Sequence, residues 1–229
     1  YLDLRVMFRP ETQDGEKHLL WIAHDKVQMN NTLDSVLKQI RQFLDATSKE
    51  IVIIDFHRFP LGFETDKINK HKILLKMLEV RLKPYLSPNN KFYKVTVDEL
   101  VKSGKRVIIG YAEQDVKMPY LYPRVKHLWA NTDHIDFLYK YLKDSCRRDG
   151  TFATSAMAEL TPKPAEVVFN VYGGLRKMAD GVNSEVTKWF RDHLWNCANI
   201  VATDFFLGNN IIEVSITVNS KSTILGIRH

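Results

Sequence analysis

The segment Ile51-Val-Ile-Ile-Asp-Phe56 constrains the fold of this chain more than any other. It is a continuous apolar run, rich in β-branched residues and interrupted by a single carboxylate, Asp55. Such a run suits a strand covered on both faces, which is the habit of parallel sheets flanked by helices. A strand of this kind needs amphipathic helices on either side of it in sequence, and the chain supplies them. Leu33, Val36, Leu37, Ile40, Phe43 and Leu44 recur at helical spacing, which predicts a helix over 32–46 with Asn31 as N-cap and Asp34 in its first turn. A second helical pattern runs from Ile68 to Leu82 and is closed by Pro84 and Pro88.

The same alternation continues. A short helix is predicted over Thr96 to Ser103, with Gly104 as its C-cap. Val107 to Ala112 and Lys126 to Ala130 read as strands, and Asp133 to Cys146 as a helix. Arg147 to Pro164 reads mostly as loop and short helix. Val167 to Tyr172 then reads as a strand, Val182 to Asn196 as a helix, Ile200 to Phe205 as a strand and Asn209 to Asn219 as a last helix. Strands alternating with helices imply an α/β protein with a parallel sheet, open or closed. At 229 residues, 45% of them hydrophobic, the chain fits one domain spanning 1–229 with a substantial core. Gly173-Gly174 lacks the spacing of a nucleotide-binding loop.

Polar residues are set into the first strands in a pattern that points to chemistry. In Tyr1-Leu-Asp-Leu-Arg-Val6, the residues Leu2, Leu4 and Val6 alternate with Asp3 and Arg5. Period two places the acid and the guanidinium together on the face opposite the leucines. Gln13-Asp14-Gly15-Glu16 reads as a turn, and His18 to Ala23 as a second strand ending at His24. Arg offers a planar fork of donors to phosphate oxygens, and His moves a proton near neutral pH. Taken alone, an Asp-x-Arg pair on a strand is commonly a structural ion pair.

YLDLRV, the stretch AHDKVQMNNTLDSVLKQIRQFL with its His24, and IVIIDFHRF follow one another in this order with short gaps. Together they resemble the X domain of phosphatidylinositol-specific phospholipase C, most closely the small animal proteins made of that domain alone, and more distantly the secreted bacterial enzymes. The resemblance implies a distorted TIM-type barrel whose first strand and helix would lie upstream of Tyr1. It implies a phosphoric diester hydrolase or lyase that releases diacylglycerol and a cyclic inositol phosphate. In such barrels the reacting groups gather at the C-terminal ends of the strands.

Residue by residue, the resemblance makes His24 the general acid and Arg5 the cation at the phosphate. Asp3 would orient Arg5 or His24. Asp204, in IVATDFF, would partner a first His, the general base, expected before Tyr1. His57, Asn131 and Tyr111 fall at positions of inositol or headgroup contact. For His57 a structural bond to Asp55 is the rival reading; for Asn131 and Tyr111 the rivals are ordinary loop and core roles. Calcium-dependent relatives gather carboxylates where this chain has Arg5 and His57, so the expectation is a metal-independent site with no cofactor. The alternative function is a catalytically silent phosphoinositide-binding module of the same fold. A glycerophosphodiesterase with a carboxylate-bound metal is a third reading.

A net charge of +6 suits an anionic lipid surface. No basic tract interleaved with aromatics speaks for nucleic acid. No apolar run approaches the roughly 20 residues that cross a bilayer, so the expected partner is phosphatidylinositol or a related phospholipid met peripherally, from the cytoplasm or outside the cell. Trp21, Trp129, Trp189 and Trp195 are candidate interfacial anchors, although three of them sit in core-like runs. Cys146 and Cys197 could pair or remain buried thiols. Asn30-Asn31-Thr32 is a glycosylation sequon, a triplet that also arises by chance.

Overall fold

The computed structural model of the protein describes residues 1–9, 19–147, 152–163 and 173–224. The Gln13–Glu16 turn, His18 and the Val167–Tyr172 strand expected from sequence lie outside them. The chain forms two compact units, 1–124 and 125–229.

The first unit opens with strand β1 (Leu2–Phe8), followed by β2 (Leu20–His24) and β3 (Val27–Thr32). β3 was not expected: its exposed, largely polar VQMNNT shows no apolar alternation. It exists because a two-residue reversal at Asp25-Lys26, with Asp25 at φ +51°, pairs Val27 with His24 in an antiparallel ladder. Helix α1 (Leu33–Ala46) follows directly. Its N-cap is Thr32, one residue beyond the expected Asn31, and the Thr32 hydroxyl accepts from Ser35 N at 3.1 Å. Leu33, Leu37, Ile40 and Leu44 form its buried stripe.

Strand β4 (Val52–Arg58) then enters the sheet, and helix α2 (Lys67–Leu82) returns over it. Helix α3 (Val97–Ser103) is held at its start by a capping box between Thr96 and Glu99. It ends at Gly104, which takes φ +68° as expected of a C-cap glycine. Strands β5 (Val107–Tyr111) and β6 (Leu121–Pro123) complete a sheet of order β3-β2-β1-β4-β5-β6. β1, β4, β5 and β6 run parallel, while β2 and β3 form an antiparallel extension. Leu4, Val6, Ile54 and Phe56 share one core with Leu37, Leu44, Leu74 and Leu78 of α1 and α2.

One buried cation ties this unit together. Arg106, just before β5, is 4% exposed. Its guanidinium donates to the carbonyls of Leu44 (2.7 Å), Thr47 (2.8 Å) and Glu50 (3.1 Å). It thereby satisfies carbonyls that the end of α1 leaves without intrahelical donors, and it lies 5.2 Å from the centre of the Tyr85 ring.

The second unit carries strand β7 (Lys126–Leu128), helix α4 (Ile135–Ser145), strand β8 (Thr154–Met157) and helix α5 (Leu175–Lys188). A π-turn over Trp189–His193 prolongs α5, and strand β9 (Ile200–Ala202) and helix α6 (Ile211–Ile224) follow. β7, β8 and β9 form a parallel sheet. Two expectations need correction here. β8 falls inside a segment read as loop, because Thr-Ser-Ala-Met has neither a β-branched run nor alternation, yet Ala156 is fully buried between β7 and β9. α5 also begins seven residues before the expected Val182, since Gly174 at φ +95° stops the preceding chain and frees Leu175 to start the helix. Leu128, Leu138, Leu142, Val186 and Phe190 centre this unit's core. Cys146 and Cys197 are joined by a disulfide, with Cα atoms 5.0 Å apart. Trp189 is buried, whereas Trp129 is exposed and donates to Thr161.

Replacing Arg106 by Met keeps much of the stem's packing but strips the α1 carbonyls of their donors. A loss of about 2–4 kcal/mol is expected, because charge-assisted bonds to buried acceptors are removed. Denaturant midpoints of the two proteins check it.

Candidate active site

The parallel register of the first unit builds a polar row. Asp3 of β1 pairs with Asp55 of β4, and Asp55 with Gly110 of β5. Residues in register across parallel strands share a face, so the two carboxylates stand side by side, opposite the face that packs on α1 and α2. Asp55 is fully buried. A buried carboxylate requires partners, and it has them: His57 Nδ1 lies 3.0 Å from Asp55 Oδ2, and the Tyr1 phenol is hydrogen-bonded to the same side chain. Burial and the nearby carboxylates push the Tyr1 phenol well above its ordinary pKa. A carboxylate at Nδ1 fixes a proton on that nitrogen and orients the ring.

His57, two residues after Asp55, shares its face by strand alternation, and β4 is irregular at this point. Leu4 pairs with Phe56, but Arg5 pairs with Arg58, so His57 is an extra residue in β4. The bulge shifts the pairing with β1 by one residue, so that Arg58 and not His57 stands opposite Arg5. Gly110 is the second enabling feature. A Cβ there would overlap Asp55 Oδ1, so the buried acid fits only against a residue without a side chain.

Arg5 lies between two acids. Its guanidinium bonds Asp25 Oδ1 at 3.2 Å and stands 3.9 Å from Asp3 Oδ2. Asp25 was not singled out in the sequence; it reaches Arg5 because the unforeseen β2–β3 reversal carries it there. Asp3 Oδ1 is buried with no hydrogen-bond partner among the described residues. Burial raises the Asp3 carboxyl above the usual range, while His57 and Arg5 oppose the rise and Asp55 adds to it. Asp3, Asp55 and His57 offer ligand atoms within 4.8 Å of one another. Two carboxylates and an imidazole are a donor set that fits a divalent cation. His24 ends β2, exposed, beside the Asp25 reversal.

Tyr111 is placed differently. It pairs with Phe56, one residue out of step with Asp55, and therefore faces the helices. Its hydroxyl bonds His71 Nδ1 of α2 at 2.7 Å, and its ring packs on Phe56 and Phe59. The structure thus brings Asp3, Arg5 and His57 together and sets Tyr111 with a different group. A cavity of about 430 Å³ adjoins that group, lined by Arg58, Phe59, Phe63, Lys67, His71 and Glu113. The Asp55–His57 pair is not part of its lining.

In the second unit, Asn131 follows β7 in an exposed position at φ +50°. Asp204 follows β9, its carbonyl accepting from Asn183 Nδ2 at 3.2 Å, and partial enclosure raises its carboxyl pKa. Directly after it, Phe205, Phe206 and Leu207 are 45%, 52% and 82% exposed. The Arg176 guanidinium lies 4.9 Å from the Phe205 ring centre.

The first unit thus carries acid, guanidinium and imidazole on the sheet face opposite α1 and α2. Comparison with solved structures identifies the fold. The chain has the fold of bacterial phosphatidylinositol-specific phospholipases C. It is similar to that enzyme from Listeria monocytogenes, with 14% sequence identity and a TM-score of 0.57 over 86% of this chain and 73% of that one. It is similar to a point mutant of the Staphylococcus aureus enzyme, with 12% identity and a TM-score of 0.62 over 89% and 72%. A further S. aureus structure, from work on modulation of membrane binding, has 12% identity and a TM-score of 0.59 over 89% and 72%. No protein-family model matches the chain, and no curated protein matches it by sequence.

His71 gives a pH prediction. Burial lowers its pKa to about 4, with Glu113 opposing and Lys67 assisting. The unfolded chain binds a proton near pH 6.5 that the folded chain refuses until about pH 4. Stability from this group is therefore complete above about pH 6.5 and is lost as pH falls towards 4, by up to about 3 kcal/mol. Urea midpoints at pH 5 and 7.5 should differ for the parent and converge in His71→Phe.

Proposed function

We propose that this chain is a phosphodiesterase of the phosphatidylinositol-specific phospholipase C type, made of the two units acting as one catalytic domain. The observation that carries the reading is the polar row itself. Asp3, Arg5 and the Asp55–His57 pair stand together on the sheet face opposite α1 and α2. In this reading Arg5 meets the phosphate, with Asp3 and Asp25 holding its fork in place. Preorganised positive charge is worth most where charge develops on the phosphorane. His24 protonates the departing glycerol oxygen. Asp204 supports the general base, the first His expected before Tyr1, which takes the proton of the attacking inositol hydroxyl. His57, oriented by Asp55, contacts the inositol, and Asn131 is a further contact. The chain works without a metal, Arg5 standing in for one.

Lipid contact is supported by Phe205-Phe206-Leu207. An exposed apolar tripeptide beside a candidate acid, with a cation stacked on it, suits insertion into an anionic interface. No helix of the described residues is long and apolar enough to cross a membrane.

One observation favours a second reading. The clustering of Asp3, Asp55 and His57 also suits a metal-assisted phosphodiesterase.

The test uses the protein with the residues preceding Tyr1 present, and follows inositol phosphate released from phosphatidylinositol vesicles with calcium or with chelator. Equal release is expected. Release with calcium alone would move the cation role from Arg5 to a metal on the acidic cluster. Binding without release in either condition would favour the silent lipid-binding module. His24→Ala should lower turnover about 10²-fold or more. Arg5→Lys should be strongly impaired, since Lys lacks the fork. Leu207→Ser should weaken vesicle partitioning about tenfold, the worth of one buried leucine, with little effect on a soluble short-chain substrate.

A further inference from the structure

Two features remain that the proposed chemistry does not use. One is the disulfide. The chain's two cysteines, 51 residues apart, are joined to each other and leave no free thiol. Their Cα separation of 5.0 Å is within the range a disulfide spans. Cys197 is buried, and Cys146 is the residue at which α4 ends. Disulfides of this structural kind form and persist in oxidising compartments and are rare where glutathione keeps thiols reduced.

The other is the triplet Asn30-Asn31-Thr32, the single Asn-x-Ser/Thr triplet in the sequence with x other than Pro. Asn30 is exposed on β3, which lies at the edge of its sheet among the described residues. Beside it Val27 and Met29 are 65% and 45% exposed. A strand edge of this composition invites pairing with another chain, and proteins blunt such edges with bulk or charge. A glycan on Asn30 would do so here.

We propose that Asn30 carries an N-linked glycan, acquired in the oxidising compartment in which Cys146 and Cys197 become joined. Each observation supports the other: the disulfide points to the compartment that holds the glycosylation machinery, and the sequon stands where a glycan fits. In the transfer, the Asn30 amide nitrogen forms a bond to the anomeric carbon of a lipid-linked oligosaccharide. The bond from that carbon to the pyrophosphate oxygen breaks, the polyisoprenyl pyrophosphate leaves, and the amide gives up one proton. The two thiols pass two electrons and two protons to a disulfide-bearing oxidase. In the folded protein the Thr32 hydroxyl is taken up by Ser35 N as the cap of α1, so the sugar is added before that helix closes. None of this depends on the phosphodiesterase reading.

The test takes the full-length protein from the cells that make it. Intact mass is measured before and after treatment with peptide N-glycosidase, and peptides are mapped without reduction. The expected result is loss of one glycan's mass, with Asn30 converted to a carboxylate, together with a linked peptide pair containing Cys146 and Cys197. Asn30→Gln should abolish the mass change, and Thr32→Ser, which keeps both the sequon and the cap, should retain it. A linked pair with unmodified Asn30 would overturn the glycan. Both cysteines open to alkylation before reduction would overturn the compartment and the glycan with it.

Discussion

The first unit depends on one buried charge being tolerated. Asp55 has no exposure to solvent, and an unpaired carboxylate there would cost several kcal/mol. Three features make it acceptable: His57, carried to the same face by strand alternation, a phenol at Tyr1 that bonds it, and a glycine at 110 that leaves it room. Asp3 and Arg5 then stand next to a fixed dipolar pair instead of a greasy wall. The polar row is therefore a property of the register among β1, β4 and β5 as much as of any one residue.

Much of this could be read from sequence. The alternation in YLDLRV put Asp3 and Arg5 on the face away from the core, and burial of Leu4 and Val6 agrees with it. The run ending at Phe56 became a central parallel strand, and the helix expected over Thr96 to Ser103 began one residue later, with Gly104 as its C-cap. What escaped notice had no local signal. β3 is polar and exposed, and β8 is short and made of small residues, so neither carries a hydrophobic period. The His57 bulge is visible only in the pairing of β1 with β4. Tyr111 sits one position from Gly110, and that single step decides between the row and the helix-facing His71. Asp25 and Arg106 act across 20 and roughly 60 residues of sequence, beyond what periodicity can report.

The two units secure themselves by different means. The first has a large apolar cluster and relies on polar clamps, Arg106 on the end of α1 and Arg81 forked onto Asp34 at 2.7 and 3.1 Å. The second has shorter strands and a covalent tie across 51 residues. In the chain-entropy picture, closing a loop of that length removes about 4 kcal/mol of freedom from the unfolded state. That tie fixes the end of α4 to the segment leading into β9, and so bears on where Asp204 is presented.

Gly110 has an evolutionary corollary. No side chain can enter at 110 while Asp55 is present, whereas a shortened residue at 55 would open the space. The two positions can therefore diverge in one order only: 55 must change first, and any substitution at 110 that follows makes the loss of the buried acid hard to reverse. A lineage that abandoned the acid would in time close the door behind it, and the residue at 110 would record that history after the chemistry was gone.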